Sequence, residues 1–503
     1  MPLLPDAQKV AEQVPVWSAA EPTLAALRAT GLSDDAALTR WGLVLLKQNR
    51  AADAAVVFRA ALALTPNDPV LWMNCGVAHD QIHLLPDAAA CFEKSLALSA
   101  AQPDVWLLLG LTRKKQGDFA AAETAFRQTL AGEPEQALAW QCLGLLKEEQ
   151  RDYRGAIECL TACLRHGGSS PATLANLGKL CYQTGQFPQA HDAFRQAAAG
   201  DPSNAHYRQM LRKTRFLHEA LLGLPYDGIV HAYRTSFSPA EAMAESELVD
   251  LFDTAVGLLG GFGHLKAAVG LGRKRLELWP DSSTIHYILR AMTGEPGLER
   301  SPQGFVVEHF DSIAETFDEH LVKDLGYDIP GKIAAAVRAV TPAGRLYDTL
   351  DAGCGTGLCG PLLRPLSRAL MGVDLSPRMI DQAARRGMYD QLAVGELAMF
   401  LQRFSARFDL VVAADVLIYF GDLAPIFAAA AAAMRPGGLF AASTESGPET
   451  GYRLRPSGRF AHAPSYVRGL AAECFTEEYY ADTTIRMEAN QRLPGNIFLF
   501  RRR

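Results

Sequence analysis

The sequence predicts a multidomain chain in which an all-α solenoid of paired helices is followed by a doubly wound α/β domain. Three observations carry this reading. Glycines recur at a constant step of 34 residues through the N-terminal half. A D-x-G-x-G-x-G run occupies Asp351 to Gly357. Beyond it, short apolar stretches alternate with helical ones, as in a parallel sheet covered by helices on both faces.

The repeats come first in the chain. Gly42, Gly76, Gly110, Gly144 and Gly178 share the 34-residue step with Ala54, Ala88, Ala122, Ala156 and Ala190, and with Phe58, Phe92, Phe126, Leu160 and Phe194. Trp72, Trp106 and Trp140 precede their glycines by four residues, with Leu38 and Leu174 in the flanking copies, and Pro66, Pro134 and Pro202 close three units. Small residues at fixed positions let two helices nearly touch while large ones fill the adjoining gap. One such unit cannot bury its own apolar face, so the copies must stack. The pattern resembles the tetratricopeptide repeat (TPR). That resemblance implies an antiparallel helix pair per unit and a groove that binds a peptide or partner protein. Five repeats are expected over 35–204 and a degenerate helical cap over 205–292, including a pair from Leu248 to Ser282 that ends in Trp279-Pro280-Asp281. The solenoid would then cover residues 1–292. Leu43, Leu46, Val77, Leu107, Leu111 and Leu145 would face the groove, which is apolar for a clamp on charged termini. Dimerisation or a purely spacing role is the alternative.

A Gly- and Pro-rich stretch at 293–304 reads as a linker to a second domain, 305–503. Its opening segment, Glu308 to Leu321, is amphipathic, with Phe310, Ile313, Ala314, Phe317 and Leu321 on one stripe. It either packs on the sheet or closes over a ligand. Strands are expected at Arg345–Leu350, Ala369–Asp374, Leu392–Glu396, Phe408–Ala414 and Leu439–Ser443. Helices are expected at Leu358–Leu366, Leu423–Met434 and from Pro464 to about Cys474, with Arg435-Pro-Gly-Gly438 as a helix stop.

The glycine loop follows a strand and lets backbone approach a nucleotide-like ligand. Gly355-Thr-Gly357-Leu-Cys-Gly360 also fits the dinucleotide fingerprint G-x-G-x-x-G. Charge separates the two readings. Asp351, two residues before the first glycine, repels a pyrophosphate and welcomes a cation. Asp374 stands about 20 residues on, where an acid meets ribose hydroxyls in either case. With the Asp415-Val-Leu-Ile-Tyr419 segment after the fourth strand and the Pro-Gly-Gly turn before the fifth, the domain resembles the Rossmann-like class I S-adenosylmethionine-dependent methyltransferases.

The resemblance implies S-adenosylmethionine as cofactor. Gly353, Gly355 and Gly357 would lie beneath its methionine part and Asp351 near its ammonium. Asp374 would hold the ribose, Leu375 and Glu396 would meet the adenine, and Asp415 would stand between cofactor and acceptor. The polar, aromatic-rich stretch Tyr452 to Tyr466 borders the carboxyl ends of the strands, so Arg453, Arg455, Arg459, His462 and Tyr466 are candidate acceptor contacts, as is Tyr419 in the segment after Asp415. Transfer needs mainly alignment and a dry pocket. A base is required only for an acceptor protonated near neutral pH, and Asp415 and His462 are the candidates. Asp-Val-Leu-Ile departs from the Pro-Pro signature of enzymes that methylate base or amide nitrogens.

Net charge is −6 over 503 residues without a long basic run, so no nucleic-acid partner is expected. No leader pattern and no apolar run of membrane length is present, which predicts a cytoplasmic chain without a membrane partner. The nine cysteines read as reduced core thiols. Cys159 and Cys163 lie one turn apart without a second ligand pair, and no metal is expected. The leading reading is a methyltransferase whose solenoid recruits or presents the acceptor. A scaffold with an inactive transferase domain and a nicotinamide oxidoreductase stand as alternatives.

Overall fold

The computed structural model describes residues 34–235, 243–295, 297–318, 321, 326–488 and 491–503. Residues 1–33 of the expected solenoid, and 319–320 of the expected amphipathic segment, lie outside them. The chain forms two compact units, Met1–Thr214 and Arg215–Arg503.

In the first unit, helices pair in sequence: Asp35–Lys47 with Ala51–Leu64, Pro69–Gln81 with Leu85–Leu98, Pro103–Lys115 with Phe119–Gly132, Ala137–Glu149 with Tyr153–Arg165, and Pro171–Gln183 with Phe187–Gly200. Local chemistry sets where they start. Asp68, Asp118, Asp152 and Ser170 cap with their side chains, and Pro69, Pro103 and Pro171 occupy the first helical position, where a missing N–H costs nothing. The tryptophans tie each pair to the turn before it. Indole Nε1 of Trp72, Trp106 and Trp140 donates to the carbonyls of Pro66, Ala100 and Pro134 at 2.8, 3.1 and 2.8 Å.

The recurring glycines are demanded by close approach. A methyl group on Gly42, Gly76, Gly110 or Gly178 would lie 2.5–2.8 Å from the ring of Phe58, Phe92, Phe126 or Phe194. At Gly144, where the facing residue is Leu160, the corresponding distance is 3.0 Å. Of the expected groove residues, Leu43 is 38% exposed but Leu107 only 8%, so Leu107 belongs to the packing between helices. Charges on the first helix of each pair are matched from copy to copy: Lys115 with Asp80 at 2.5 Å, Lys114 with Glu149 at 2.8 Å, and Lys179 with Glu148.

The second unit begins with helices Tyr226–Thr235, Glu245–Gly261, Leu265–Leu278 and Ser283–Thr293. These fall with the α/β domain and not with the repeats, so the expected linker at 293–304 lies inside this unit. The reason is a set of hydrogen bonds across that stretch. Tyr287 Oη donates to Gly458 O at 2.8 Å and shares a hydrogen bond of 2.8 Å with Ser301 Oγ. Ser301 N donates to Tyr419 O at 2.8 Å, and Gly421 N to Glu299 O at 2.6 Å.

The sheet comprises β1 (Tyr347–Ala352), β2 (Ser367–Asp374), β3 (Gln391–Val394), β4 (Phe408–Ala413), β5 (Met434–Ser446), β6 (Tyr452–Leu454), β7 (Phe460–His462), β8 (Phe475–Glu488) and β9 (Gln491–Arg502). The order is β3-β2-β1-β4-β5, all parallel; β9 then joins β5 antiparallel and β8 joins β9. The β6–β7 hairpin attaches at the end of β5. Both faces of β4 are covered. Leu410 and Val412 pack with Ile333, Val337 and Leu499, while Val411 and Ala413 pack with Phe427, Phe440 and Phe498. That explains the unbroken apolar run in its sequence. Arg435-Pro-Gly-Gly438 opens β5 and does more than stop a helix. Arg435 reaches Asp348 and Asp409 at 2.9 Å each, joined on Asp348 by Arg368 at 2.6 Å and Arg407 at 3.1 Å. The surrounding guanidiniums, Arg368 foremost, hold the Asp348 carboxyl down at about 2.

The packing of the repeats gives a graded expectation. Ala favours a helix over Gly by about 1 kcal/mol, whereas overpacking costs about 1–3 kcal/mol. Gly76→Ala is expected to lower the melting temperature of the repeats and Gly144→Ala to leave it nearly unchanged, as read by circular dichroism; equal shifts would contradict the contact.

Candidate active site

The strand order reverses between β1 and β4, which leaves a crevice at the carboxyl ends of the strands where ligands settle in such sheets. A cavity of about 320 Å³ opens there. Its walls come from the turns after four strands: Gly353 to Thr356 after β1, Asp374 and Leu375 after β2, Gly395 and Glu396 after β3, and Ala414 to Val416 after β4.

The glycine loop is turned inward. Gly353 N and Cys354 N both donate to Val373 O, at 2.8 and 2.9 Å, and Gly357 N donates to Cys354 O at 2.9 Å. Gly355 N donates to Asp374 Oδ2 at 2.9 Å, and Ser376 N to Asp374 Oδ1 at 2.9 Å. Gly353 holds φ +74°, and a Cβ there would lie 2.5 Å from Val416 Cγ2, so no other residue fits. The helical segment after the loop is an α-helix over Gly360–Leu363 continued by a 3₁₀ turn over Arg364–Leu366, within the helix expected at Leu358–Leu366.

Three carboxylates, Asp374, Glu396 and Asp415, share the cavity wall with three guanidiniums, Arg300, Arg459 and Arg486. Glu396 Oε2 caps the helix Leu397–Leu401 through Met399 N at 2.8 Å. Its Oε1 is buried without a hydrogen-bond partner, with Arg300 Nη1 3.7 Å away. Asp415 adopts the left-handed conformation (φ +56°), held by its N–H on Ser443 Oγ at 2.8 Å. Its Oδ2 accepts from Arg486 Nη1 at 2.9 Å, while Oδ1 is buried and unpartnered. Arg486 Nη2 continues to Glu445 Oε1 at 2.6 Å, and Arg455 Nη1 bonds the other oxygen of Glu445 at 2.8 Å. Burial lifts the Asp415 carboxyl to about 6, against the pull of Arg486.

Asp351 does not reach the cavity wall, and neither does Gly357. Asp351 is wholly buried at the end of β1. Tyr389 Oη donates to its Oδ2 at 2.6 Å, and Oδ1 has no partner. Burial pushes its carboxyl up to about 7, partly offset by the Tyr389 hydrogen bond.

The acceptor side divides in two. Tyr419 and Arg459 line the cavity; Tyr419 packs edge-on to Phe310 at 5.6 Å, and Arg459 reaches Glu488 at 3.2 Å. His462, Arg455 and Tyr466 do not line it, and Arg453 is exposed on β6. His462 Nε2 faces Phe420 O at 2.8 Å and Gly421 O at 3.2 Å, so that nitrogen must carry a proton. Burial drops the ring to about 4. Its Nδ1 keeps a lone pair without a partner, but the ring is buried away from the cavity wall and so is not placed to act there as the expected base. Tyr466 stacks on that ring at 6.2 Å, accepts from Leu423 N and donates to Asp422, both at 3.0 Å. These residues brace the turn after β4.

The amphipathic segment closes over the cavity. Val306, His309, Phe310 and Ile313 of helix Gln303–Ile313 form part of its wall, continued by Phe317 and Leu321. Asp311 accepts from Ser376 Oγ at 2.5 Å, and Asp318 bonds both Thr356 Oγ1 and Arg386 Nη2, which fastens the segment to the turns after β2 and β1. Burial, then the charge of Arg459, lowers the His309 imidazole to about 4.

Sequence reasoning missed Arg486, His309, Arg300 and Gln303, all on the wall. Arg486 is brought to Asp415 only by strand pairing 71 residues downstream. The sole hint was an arginine set in the otherwise strand-like Thr484-Ile-Arg-Met487.

A doubly wound domain with a cavity at the switch point has the architecture in which ligands bind at the carboxyl ends of the strands. Comparison with known proteins goes further. Residues 350–440 match the family model of a methyltransferase domain, and 17–69, 107–146 and 148–214 match models of the tetratricopeptide repeat. The chain thus joins tetratricopeptide repeats to a methyltransferase domain. It is 36% identical over 98 residues to a ubiquinone biosynthesis O-methyltransferase of Methylocella silvestris, covering 19% of this chain and 38% of that one. It is 34% identical over 100 residues to nodulation protein S of Rhizobium tropici, covering 19% and 42%. The chain therefore spans about two fifths of the length of the curated relatives it matches. The crystal structure of the N-methyltransferase NodS from Bradyrhizobium japonicum WM9, in complex with S-adenosyl-L-homocysteine, aligns with a TM-score of 0.33 at 21% identity, covering 39% of this chain and 97% of that one. No helix among the described residues is long and apolar enough to cross a membrane.

Ring-nitrogen NMR shifts of His462 and His309 are expected to stay flat between about pH 5 and 8, since both rings remain neutral there. A midpoint near 6.5 for either ring would contradict its burial.

Proposed function

We propose that the second unit binds S-adenosylmethionine in this cavity and methylates an acceptor that enters beside Asp415, Tyr419 and Arg459. The repeat unit, on this reading, binds a protein or peptide and so recruits an acceptor that is protein-borne, carrier-bound or small. The observation that carries the cofactor assignment is the inward glycine loop. N–H groups of Gly353, Cys354, Gly355 and Gly357 already have partners within the protein, so they are not available to a pyrophosphate. Two carboxylate oxygens on the wall, Glu396 Oε1 and Asp415 Oδ1, have no hydrogen-bond partner and suit a ligand that offers donors.

The residues present fit that ligand. Asp374 keeps lone pairs for two ribose hydroxyls, and Leu375 offers apolar surface to the adenine. Glu396 Oε1, buried and unpartnered, suits an exocyclic amino group. Asp351 lies behind the loop, where its charge favours an ammonium. The bound sulfonium would supply an already electrophilic methyl group. The protein supplies alignment and a dry enclosure under the segment that carries Phe310, Ile313 and Phe317. Asp415 Oδ1 is free to accept a proton from a hydroxyl or ammonium, and a carboxyl lifted to about 6 is a stronger base than an ordinary aspartate. Arg486 holds the other oxygen and fixes the direction of the free one. In the repeats, the matched ion pairs of Asp80, Lys114, Lys115, Glu148, Glu149 and Lys179 favour a partner that docks through apolar side chains.

Calorimetry tests the cofactor. S-adenosylmethionine should bind and NAD⁺ should not, and Asp374→Ala should weaken binding by about 1–3 kcal/mol, the cost of leaving polar groups unpaired. The reverse preference would defeat the assignment.

A second expectation concerns pH. In the cofactor-free protein Asp351 is half protonated near 7, and a cation is favoured only by the ionised form. Affinity for S-adenosylmethionine should therefore rise as pH increases toward and through 7. Asp351→Asn should bind more weakly and flatten that rise; an identical profile in both proteins would remove Asp351 from the site.

A further inference from the structure

The second repeat differs from its neighbours at three positions, and the differences meet in space. Cys75 replaces the large apolar residue found one 34-residue step away in each direction and beyond: Trp41, Leu109, Leu143 and Leu177. His79 stands where the other copies have Leu45, Arg113, Lys147 and Cys181, and Cys91 where they have Val57, Ala125, Cys159 and Ala193. Cys75 and His79 lie one turn apart on helix Pro69–Gln81, and Cys91 faces them from helix Leu85–Leu98.

All three are buried, at 1%, 1% and 7% exposure. Their ligand atoms lie within 4.8 Å of one another, with His79 Nδ1 3.5 Å from Cys75 Sγ and 4.0 Å from Cys91 Sγ. Two thiols and an imidazole converging from two helices are the donor set for a soft closed-shell cation. Repeat packing alone does not ask for this set, since the same interface is filled by leucine and alanine in the third copy.

We propose that Cys75, His79 and Cys91 bind a thiophilic d¹⁰ cation, Zn²⁺ or Cu⁺, which clamps the two helices of the second repeat. In the metal-free geometry His79 Nδ1 sits 2.7 Å from Cys75 O and donates to it. Binding requires that nitrogen as a lone-pair donor, so the ring moves its proton to the other nitrogen. Each thiol loses its S–H proton as the metal–sulfur bond forms, and two protons per ion pass to solvent. The pair of cysteines is 16 residues apart and on different helices, which is why spacing along the chain had drawn attention only to Cys159 and Cys163.

The test uses the full chain, stripped of metal under reducing conditions and loaded with one equivalent of Zn²⁺ or, separately, Cu⁺ held by a chelator of known affinity. X-ray absorption at the metal edge should show two sulfurs and one nitrogen, and two protons should be released per ion. Cys75→Ser with Cys91→Ser should weaken binding by about 100-fold or more, while Cys159→Ser with Cys163→Ser should not. The edge measurement on wild-type protein stands even if the first pair of substitutions unfolds the repeat. A shell of oxygen and nitrogen only, or binding lost equally in the control pair, would overturn the proposal; whichever ion competes better against its chelator identifies the cation.

Discussion

The second unit is organised by where the backbone donors of one loop point. Between β1 and the turn after β2, four amides that could greet an incoming anion are spent on Val373 O, Asp374 and Cys354 O. With those four amides consumed, the unpartnered side-chain atoms on the wall are the oxygens Glu396 Oε1 and Asp415 Oδ1. A helix N-terminus of only four residues, Gly360–Leu363, adds little attraction for a phosphate. Letter for letter the loop fits a dinucleotide fingerprint, yet its hydrogen bonds run the other way.

The second constraint is a chain of charges across the sheet. Asp415, Arg486 and Glu445 alternate in sign from the end of β4 to β8 and β5, all largely removed from water. A buried pair of this kind gives little net stability and leaves a heavy penalty if one member is removed. Its value lies in orientation. It fixes the direction of the Asp415 carboxylate, whose backbone, held by Ser443, adopts a conformation that residues with a side chain seldom take, and such strain concentrates at working sites.

Much of this was legible in the sequence. The 34-residue step located every helix pair from 35 to 200, because interface glycines and aromatics must recur when identical units stack. The five parallel strands β1 to β5 were located, since apolar runs and glycine turns are local signals, but β6 to β9 were not expected. Placement of Asp374, Glu396, Asp415, Tyr419 and Arg459 at the cavity followed from their position at strand ends. What failed was long-range. His462, Arg455 and Tyr466 looked like acceptor contacts from their loop, but the β6–β7 hairpin turns them onto the strand ends and the turn after β4. Arg486 could not be foreseen without the register of β8. The Gly- and Pro-rich stretch at 293–304 had the composition of a tether and instead forms hydrogen bonds with the residues after β4.

That stretch has one more consequence. Because Tyr287 grips both Ser301 and Gly458, a helix that resembles the end of the solenoid packs behind the wall that carries Val306, Leu375 and Tyr419. A gene fragment trimmed at the apparent seam, before Phe305, would discard Arg300, Ser301 and Gln303 from the wall together with the helix that backs it. Recombination that swapped one array for another could therefore preserve the chamber only by breaking the chain upstream, on the far side of the helices that now look like spare repeats.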